Sequence, residues 1–416
     1  MAQPGTPATP TSPEGYAPTF TVRIGGRLAD AATIGDVLDV KVTRDIDEMT
    51  GFDLTLNNWD DVKRQFKYSD DHLFDLGQAV SIQLGYADSQ VTVASGNITT
   101  MAPAFPNGAS PTIAISGQDG LQLLKNRKPA PGDRTSWDNA TDAEIVTEIA
   151  RRNKLVPVVD ASEPRHGNVV QKNQDDAQFL MERAKRIDYD CYILPGEQDG
   201  QQKLFFVRPR DGRDGNEVRI YQLAYGPGLS TGPSRLTPPT HQPAGAAVGP
   251  TTVSGAAPPR PIPNLLEFTP TMTLAKQVGK VTVRGWDQRA KAPFSYTAEP
   301  KDLPSAPGQK GTSGPEQAAQ KLGDRQEVVV DAPVSSDEEA RKLAISLLRE
   351  RAYEYITATG RIAGLPELRP SDNLVIYGLG HRFSGTYFVK RVEHTLSGSG
   401  FFTQFTARRV FDGGLP

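Results

Sequence analysis

The strongest constraint on the fold is a likeness between the two ends of the chain. Residues 77–86 alternate Val80, Ile82 and Leu84 with polar or small partners, and are followed by 91–98, a turn, and 112–116. Residues 371–378 lead in the same way to 383–394, a Gly-Ser turn, and 401–408. Each stretch reads as strand, short turn, long strand, turn, strand. A chain holding two similar β units can build a ring with twice as many units as subunits, which points to an assembly part rather than an enzyme.

The 416 residues allow two to four domains. A formal charge of 46 − 49 = −3 implies no bulk attraction to nucleic acid or to an anionic membrane. The 39 glycines and 34 prolines favour many turns, hence a β-rich fold with irregular connections. One cysteine, Cys191, excludes an intrachain disulfide and fits a reducing compartment. The first residues lack the basic and apolar regions of a signal peptide, and no apolar run is long enough for a membrane helix, so no direct membrane-insertion signal is expected.

Residues 1–18 are rich in Pro, Thr, Ser and Ala and are expected to form a disordered tail. From 19 to 125 the apolar period is two, as in Phe20, Val22, Ile24 and in Phe52, Leu54, Leu56, predicting an antiparallel β domain. Residues 60–76 break that pattern and read as a loop or short helix. From 126 to 225 the period changes to that of an α+β module. Thr141 and Glu144 form a capping box before a helix over 142–153, a second helix runs over 175–187, and a hairpin joins 190–194 to 203–207. Residues 226–263 hold ten prolines and six glycines, too few core formers for anything but a linker or insertion, and 298–325 is similar but shorter. Residues 264–416 read as a second β domain. It includes a strand at 280–285 and a long helix near 335–355, capped by Ser335 with Glu338, whose apolar face includes Leu343, Leu347 and Tyr355.

No catalytic constellation is legible. His72, His166, His241, His381 and His394 include no metal-binding i, i+4 pair, though His381 and His394 could meet in a hairpin. The glycine-rich run 226–232 lacks a following Lys and meets Pro233 where a helix should begin, so it makes no phosphate cradle. Carboxylates cluster at Asp45, Asp47 and Glu48 and at Asp175 and Asp176, as turns and helix starts generally require. Catalytic, cofactor and metal sites are therefore all expected to be absent. The basic run Lys125, Arg127 and Lys128, with Trp137 close by, reads either as a solvated loop or as an intersubunit contact, and Trp286 has the same status.

Several stretches stand in an order that resembles the phage late control protein D family, the central baseplate hub proteins of contractile-tailed phages and related injection systems. They are Gly-Gln-Asp-Gly-Leu-Gln-Leu-Leu at 117–124, Gln-Lys-Asn-Gln-Asp-Asp-Ala-Gln-Phe-Leu at 171–180, Val-Arg-Gly-Trp-Asp at 283–287 and Phe-Ser-Gly-Thr-Tyr at 383–387. The resemblance spans roughly 19–210 and 264–412 and extends to the N-terminal hub region of type VI secretion spike proteins. It implies a mixed α+β, β-rich fold: two tube-protein-like antiparallel β-barrel or sandwich domains with an intervening α+β module. It implies a homotrimer whose pseudo-sixfold ring adapts a sixfold inner tube to a threefold spike. It also directs attention to Phe383 and Tyr387 as further interface candidates.

The expected partners are the chain itself, a spike protein, an inner-tube or tube-initiator protein and other baseplate components, with no nucleic acid. The family's spike proteins continue into a barrel and a β-helix that this sequence does not contain, so the spike is expected to be a separate polypeptide. Assembly is expected in the bacterial cytoplasm, with residence in the baseplate of a tail or injection particle. Two rivals are a tail-associated peptidoglycan hydrolase, which would need a carboxylate or Cys/His centre, and a tail-tip glycan-binding adhesion module, which β-rich domains bearing Trp and Tyr could serve.

Overall fold

The computed structural model describes residues 17–86, 89–125, 127–196, 201–209, 218–226, 240–242, 265–287, 291–303, 310–323, 325–330, 334 and 336–413. The tail expected over 1–18 lies almost wholly outside these residues, as does most of 226–263.

The first unit follows the period-two alternation. Its strands are β1 (Pro18–Ile24), β2 (Val37–Asp45), β3 (Gly51–Asn57), β4 (Ala79–Tyr86), β5 (Ser89–Ala104) and β6 (Thr112–Gln118). A short helix, α1 (Ala31–Asp36), precedes β2 and is capped by Asp30, whose carboxylate accepts from Thr33 N–H at 2.8 Å. The strands run β1-β4-β5-β6-β3-β2, all antiparallel. Val42, Phe52, Leu54, Ile82, Leu84 and Ile115 face a common core. The stretch that interrupts the alternation holds one small ladder, Trp59–Asp60 against Gln65–Phe66, anchored by the fully buried Asn58 accepting from Tyr68 N–H at 2.9 Å.

The middle module contains α2 (Gly120–Leu124), β7 (Ser136–Ala140), α3 (Asp142–Arg152), β8 (Val156–Val159), β9 (His166–Val170), α4 (Asp176–Ile187), β10 (Asp190–Pro195) and β11 (Gln202–Val207). The capping box forms, with Thr141 and Glu144 exchanging hydrogen bonds. Strand β11 lies between β8, to which it is parallel, and β10, to which it is antiparallel. Ile145, Ile149, Leu180 and Phe206 fill a core separate from that of the first unit.

The second unit begins earlier than the sequence suggested. Strand β12 (Val218–Ala224), read as the end of the middle module, pairs in parallel with β18 (Asn373–Tyr377) and buries Tyr221 and Leu223 in the second unit's core. Strand β13 (Leu265–Met272) follows. Then come β14 (Lys280–Asp287), β15 (Ala292–Ala298), α5 (Gly314–Leu322), β16 (Gln326–Val329) and α6 (Asp337–Tyr353), before β17 (Ile356–Ala363), β18, β19 (Gly385–Ser397) and β20 (Gly400–Arg409) close the sheet. Two readings change. The stretch 298–325 contains helix α5, capped by Ser313, and α6 is capped by Ser336, whose hydroxyl accepts from Glu339 N–H, one residue after the expected Ser335, which lies outside the described residues. Tyr355 is buried just beyond the helix end rather than on its face.

The internal likeness is broader than the sequence revealed. Strands β4-β5-β6-β3-β2 and β18-β19-β20-β17-β13 share sheet order, direction and order along the chain. They share irregularities too. The ladder slips between Ile98 and Thr100 in β5 and between Val389 and Arg391 in β19. It slips again between Val37 and Asp39 in β2 and between Leu265 and Glu267 in β13. Bulges mark register, so matched bulges fix the correspondence residue by residue: Thr100 with Arg391, Leu38 with Leu266, Leu54 with Gly360. The two units are fused edge to edge. The distal half of β19 pairs antiparallel with β2, from Arg391 opposite Asp45 to Ser397 opposite Asp39, making one sheet of 14 strands.

Candidate functional site

The edge-to-edge seam between β2 and β19 carries buried polar groups on one face and ion pairs on the other. Alternation turns Val40, Val42 and Arg44 of β2, with Val392, His394 and Leu396 of β19, toward the interior, and all six are buried. Arg44 is only 1% exposed. Its Nη2 donates to the Thr92 carbonyl at 3.1 Å, while Nε and Nη1 have no hydrogen-bond partner among the described residues. Burial, reinforced by the charge of Arg369, lowers its pKa to about 9. Burial raises the carboxyls of Asp119 and Asp372 to about 6 despite their hydrogen bonds and the nearby arginines. Asp119 caps α2, accepting from Leu121 N–H at 3.0 Å, and also accepts from Thr50 N–H at 3.1 Å. His394 is fully buried, with Nδ1 3.0 Å from Thr403 Oγ1. Burial, then the charge of Arg44, pulls its pKa down to about 3, so the ring is neutral.

The opposite face of the seam is wet and charged. Lys41 meets Glu393 at 3.1 Å, Lys390 meets Asp47 at 3.0 Å and Arg391 meets Glu48 at 3.4 Å, each pair crossing between the units. Asp47 and Glu48, suspected as an acidic cluster, are thus partners of basic residues across the seam.

A second buried network ties the middle module to α6. His166 places Nε2 3.0 Å from Asp142 and Nδ1 2.6 Å from Glu339, while Arg183 also binds Asp142. Burial works against the charged imidazole, but the hydrogen bonds to Asp142 and Glu339 outweigh it and raise its pKa. Asp142 is lowered: burial alone would raise it, and the His166 hydrogen bond and Arg183 reverse that. These charged groups link β9, α3 and α4 of the module to α6. Asp176 is likewise engaged, with Arg152, Asn153 and Gln171, and Asp175 caps α4.

His394 and His381 do not come together; the first is in the core and the second is exposed on the short helix Gly380–Phe383. Among the described residues no group of three or more His, Cys, Asp or Glu is placed to hold a metal. Cys191 is buried, and burial pushes its thiol up to about 12.

The interface candidates separate into two sets. Lys125, Arg127 and Lys128 are exposed, Lys128 donating to Asn173 Oδ1 at 2.6 Å; Trp286 is 55% exposed on β14, and Phe383 is half-buried. Trp137 and Tyr387 do not belong with them. Trp137 stacks on Phe179 in the module core and donates to Glu148 at 2.9 Å, and Tyr387 is fully buried with its hydroxyl donating to the Phe383 carbonyl at 2.7 Å. Aromatics flanked by loop-like sequence read as surface anchors, yet their packing partners come from strands and helices far along the chain. Sequence reasoning missed Arg44, Asp119 and Asp372. The available signal was a charge at Arg44, on the buried parity of Val40 and Val42.

The fold has solved counterparts. The chain is similar to the 43 kDa tail protein of prophage MuSo2 from Shewanella oneidensis, with a TM-score of 0.62 and 14% identity over 94% of this chain and 98% of that one. A tail protein from Neisseria meningitidis MC58 gives 0.61 and 14%, covering 95% and 97%. The E. coli c3393 protein, described as a component of the type VI secretion system, gives 0.50 and 12%, covering 95% and 78%. At such identities the likeness shows the shared fold. No curated protein matches the sequence. The model of one family, the Alg8 N-terminal domain, matches residues 15–197 and 263–398, passing over the Pro- and Gly-rich stretch between them. Because that match spans most of the chain, the protein belongs to the Alg8 N-terminal domain family.

Proposed function

We propose that this chain is a structural hub of a phage-tail or contractile-injection baseplate. Three copies close a pseudo-sixfold ring that adapts a sixfold inner tube to a threefold spike. The observation that carries the reading is the pair of matching five-stranded sheets fused edge to edge within one chain. Such a chain presents two near-equivalent units per copy, and three copies present six. The similarity in fold to phage and prophage tail proteins supports the same reading. The charges of the seam pair with one another across the two units, which fits a mechanical role. The partners are other copies of the chain, a spike protein, a tube or tube-initiator protein and neighbouring baseplate components. The place of action is the baseplate of the assembled particle, after assembly in the bacterial cytoplasm. Lys125, Arg127, Lys128, Trp286 and Phe383 are the surface residues proposed to meet neighbours.

Light scattering over a range of concentrations tests the reading. A stable species at 3 × 45.1 = 135.3 kDa is the expected result. A monomer at every concentration, alone and with a co-expressed spike, overturns it. Cell-wall zymography that clears peptidoglycan would favour the hydrolase instead.

A further inference from the structure

We infer that the ring closes by a second seam, between the distal half of β5 in one copy and the outer edge of β13 in the next, in the register of the seam between β19 and β2. This inference rests on the ring reading and adds to it the strands, the register and the residues in contact.

Strand β19 pairs with β18 over its first residues and with β20 over the rest, and the edge left vacant by β18 is taken by β2. Strand β5 behaves alike. It pairs with β4 as far as Asn97 and with β6 from Asn97 to Ala104, but among the described residues no strand covers the edge beyond β4. Strand β13 corresponds to β2. It pairs with β17 on one side, and its other edge, the counterpart of the one β2 gives to β19, has no strand among the described residues. The described residues therefore hold one completed seam and the two separate halves of another.

The side chains match the requirement. In the completed seam the inward row is buried: Val40, Val42 and Arg44 against Val392, His394 and Leu396. The matched bulges put Met101, Pro103 and Phe105 at the places of Val392, His394 and Leu396, and Phe268, Pro270 and Met272 at those of Val40, Val42 and Arg44. All six are apolar, and none is fully buried in the isolated chain; Phe105 is 59% exposed. The other row is small or polar, as in Ala102, Ala104, Thr269 and Thr271, like the wet face of the completed seam. Charge has been stripped from the inward row of the open edges, as expected of surface that becomes core on assembly.

The register carried over from the completed seam sets two prolines opposite each other. Ile46 N–H donates to the Lys390 carbonyl, so Val42 and His394 form one of the pairs that exchange both backbone hydrogen bonds. Their counterparts are Pro270 and Pro103. The bond from Thr273 N–H to the Tyr355 carbonyl shows that the Pro270 nitrogen points away from β17, and the same alternation turns the Pro103 nitrogen away from β6. Neither proline costs its own unit a hydrogen bond, and both delete a donor at the open edge. The second seam therefore has the same strands and faces as the first but fewer backbone bonds at its centre, and it depends more on its apolar row.

The test is a disulfide between copies. Ala102 and Thr271, both exposed, occupy the places of Glu393 and Thr43, which lie opposite each other in the completed seam. Protein carrying Ala102→Cys is mixed with protein carrying Thr271→Cys and oxidised gently; the native Cys191 is buried and does not compete. The expected result is a covalent pair formed only in the mixture, with Ala104→Cys in place of Ala102→Cys giving much less. If light scattering shows the trimer but no such pair forms, or both positions react equally, the seam is wrong while the ring stands. A monomer with no crosslink removes both.

Discussion

The two β units share five strands and two of their bulges but differ in what connects the strands. In the first, β2 and β3 are joined by the tight stretch 46–50. In the second, the equivalent strands β13 and β17 are separated by residues 273–355, which fold into the β14–β16 sheet with α5 and α6. The extra elements pack in a further core around Val281, Val283, Ala344 and Leu348, to which Ile46, just after β2, and Phe388 of the fused sheet also belong. Sheet order and register are the same in both units although one connection is far longer. The cores differ in the same spirit. Leu54 faces Ile115 in the first unit, and the equivalent pair in the second is Gly360 and Phe405. A small residue opposite a large one fills the space that two medium ones fill elsewhere.

That exchange of volumes supplies the sharpest way to break the comparison. A Cβ on Gly360 would sit 2.3 Å from the Phe405 ring, so Gly360→Leu should destabilise the second unit by about 3 kcal/mol, the upper part of the overpacking range. Adding Phe405→Ile, which restores the Leu-Ile pair of the first unit, should recover a substantial part in denaturant titration; strictly additive losses would count against equivalent cores.

Next in size is the network that docks the module on α6. His166→Gln should cost about 2 kcal/mol near pH 6, because it removes charge-assisted hydrogen bonds from a buried site. The folded pKa of His166 is raised, so its contribution is complete below the unfolded value of about 6.5 and is lost as pH rises through the folded value. The gap between wild type and variant should therefore narrow by pH 9; a gap that widens would reverse the assignment of charge.

The seam itself should respond to acid in the opposite sense. His394 is depressed to about 3 in the folded chain, so unfolding takes up a proton throughout the window between about 6.5 and 3. Its contribution falls with decreasing pH there, with a slope of at most about 1.4 kcal/mol per pH unit. Asp119 and Asp372, raised to about 6, oppose it, because protonating them as pH falls toward their unfolded values relieves buried charge. His394→Asn should remove only the histidine component, so the variant should lose less stability than wild type between pH 6.5 and pH 5. The open edge has Pro103 at the equivalent place and no such titration.

The smallest effect should come from the wet face. Lys41→Met removes the pair with Glu393, which is partly exposed, and should change stability by less than about 1 kcal/mol, less still in high salt. A larger loss would mean that these ion pairs, and not the apolar row, hold the units together.

The start of α3 was legible because its cap and partner, Thr141 and Glu144, are close in sequence, whereas α5 was hidden in a Pro- and Gly-rich stretch and the cap of α6 lies one residue later than expected. The C-terminal half of the repeat was legible because three consecutive strands alternate cleanly. Its other half was hidden: β13 lies far from β17 in the chain, and Pro270 interrupts what would read as a strand interior. The seam was illegible for a related reason. Asp45 and Arg391 are opposite each other although most of the chain lies between them, and nothing local marks either as half of a pair. Trp137 shows the converse error, since Phe179, which stacks on it, is supplied by the second helix after it.

The two prolines bear on the order of events. A stray peptide reaching the edge of β5 or β13 meets a gap where a donor should be and gains little from backbone contact alone. Only a strand already carried into line by the rest of a neighbouring copy brings enough apolar surface to stay. In the ring proposed above, closure is then expected to be a late, all-or-none step, visible as the absence of partly closed species in native mass measurements.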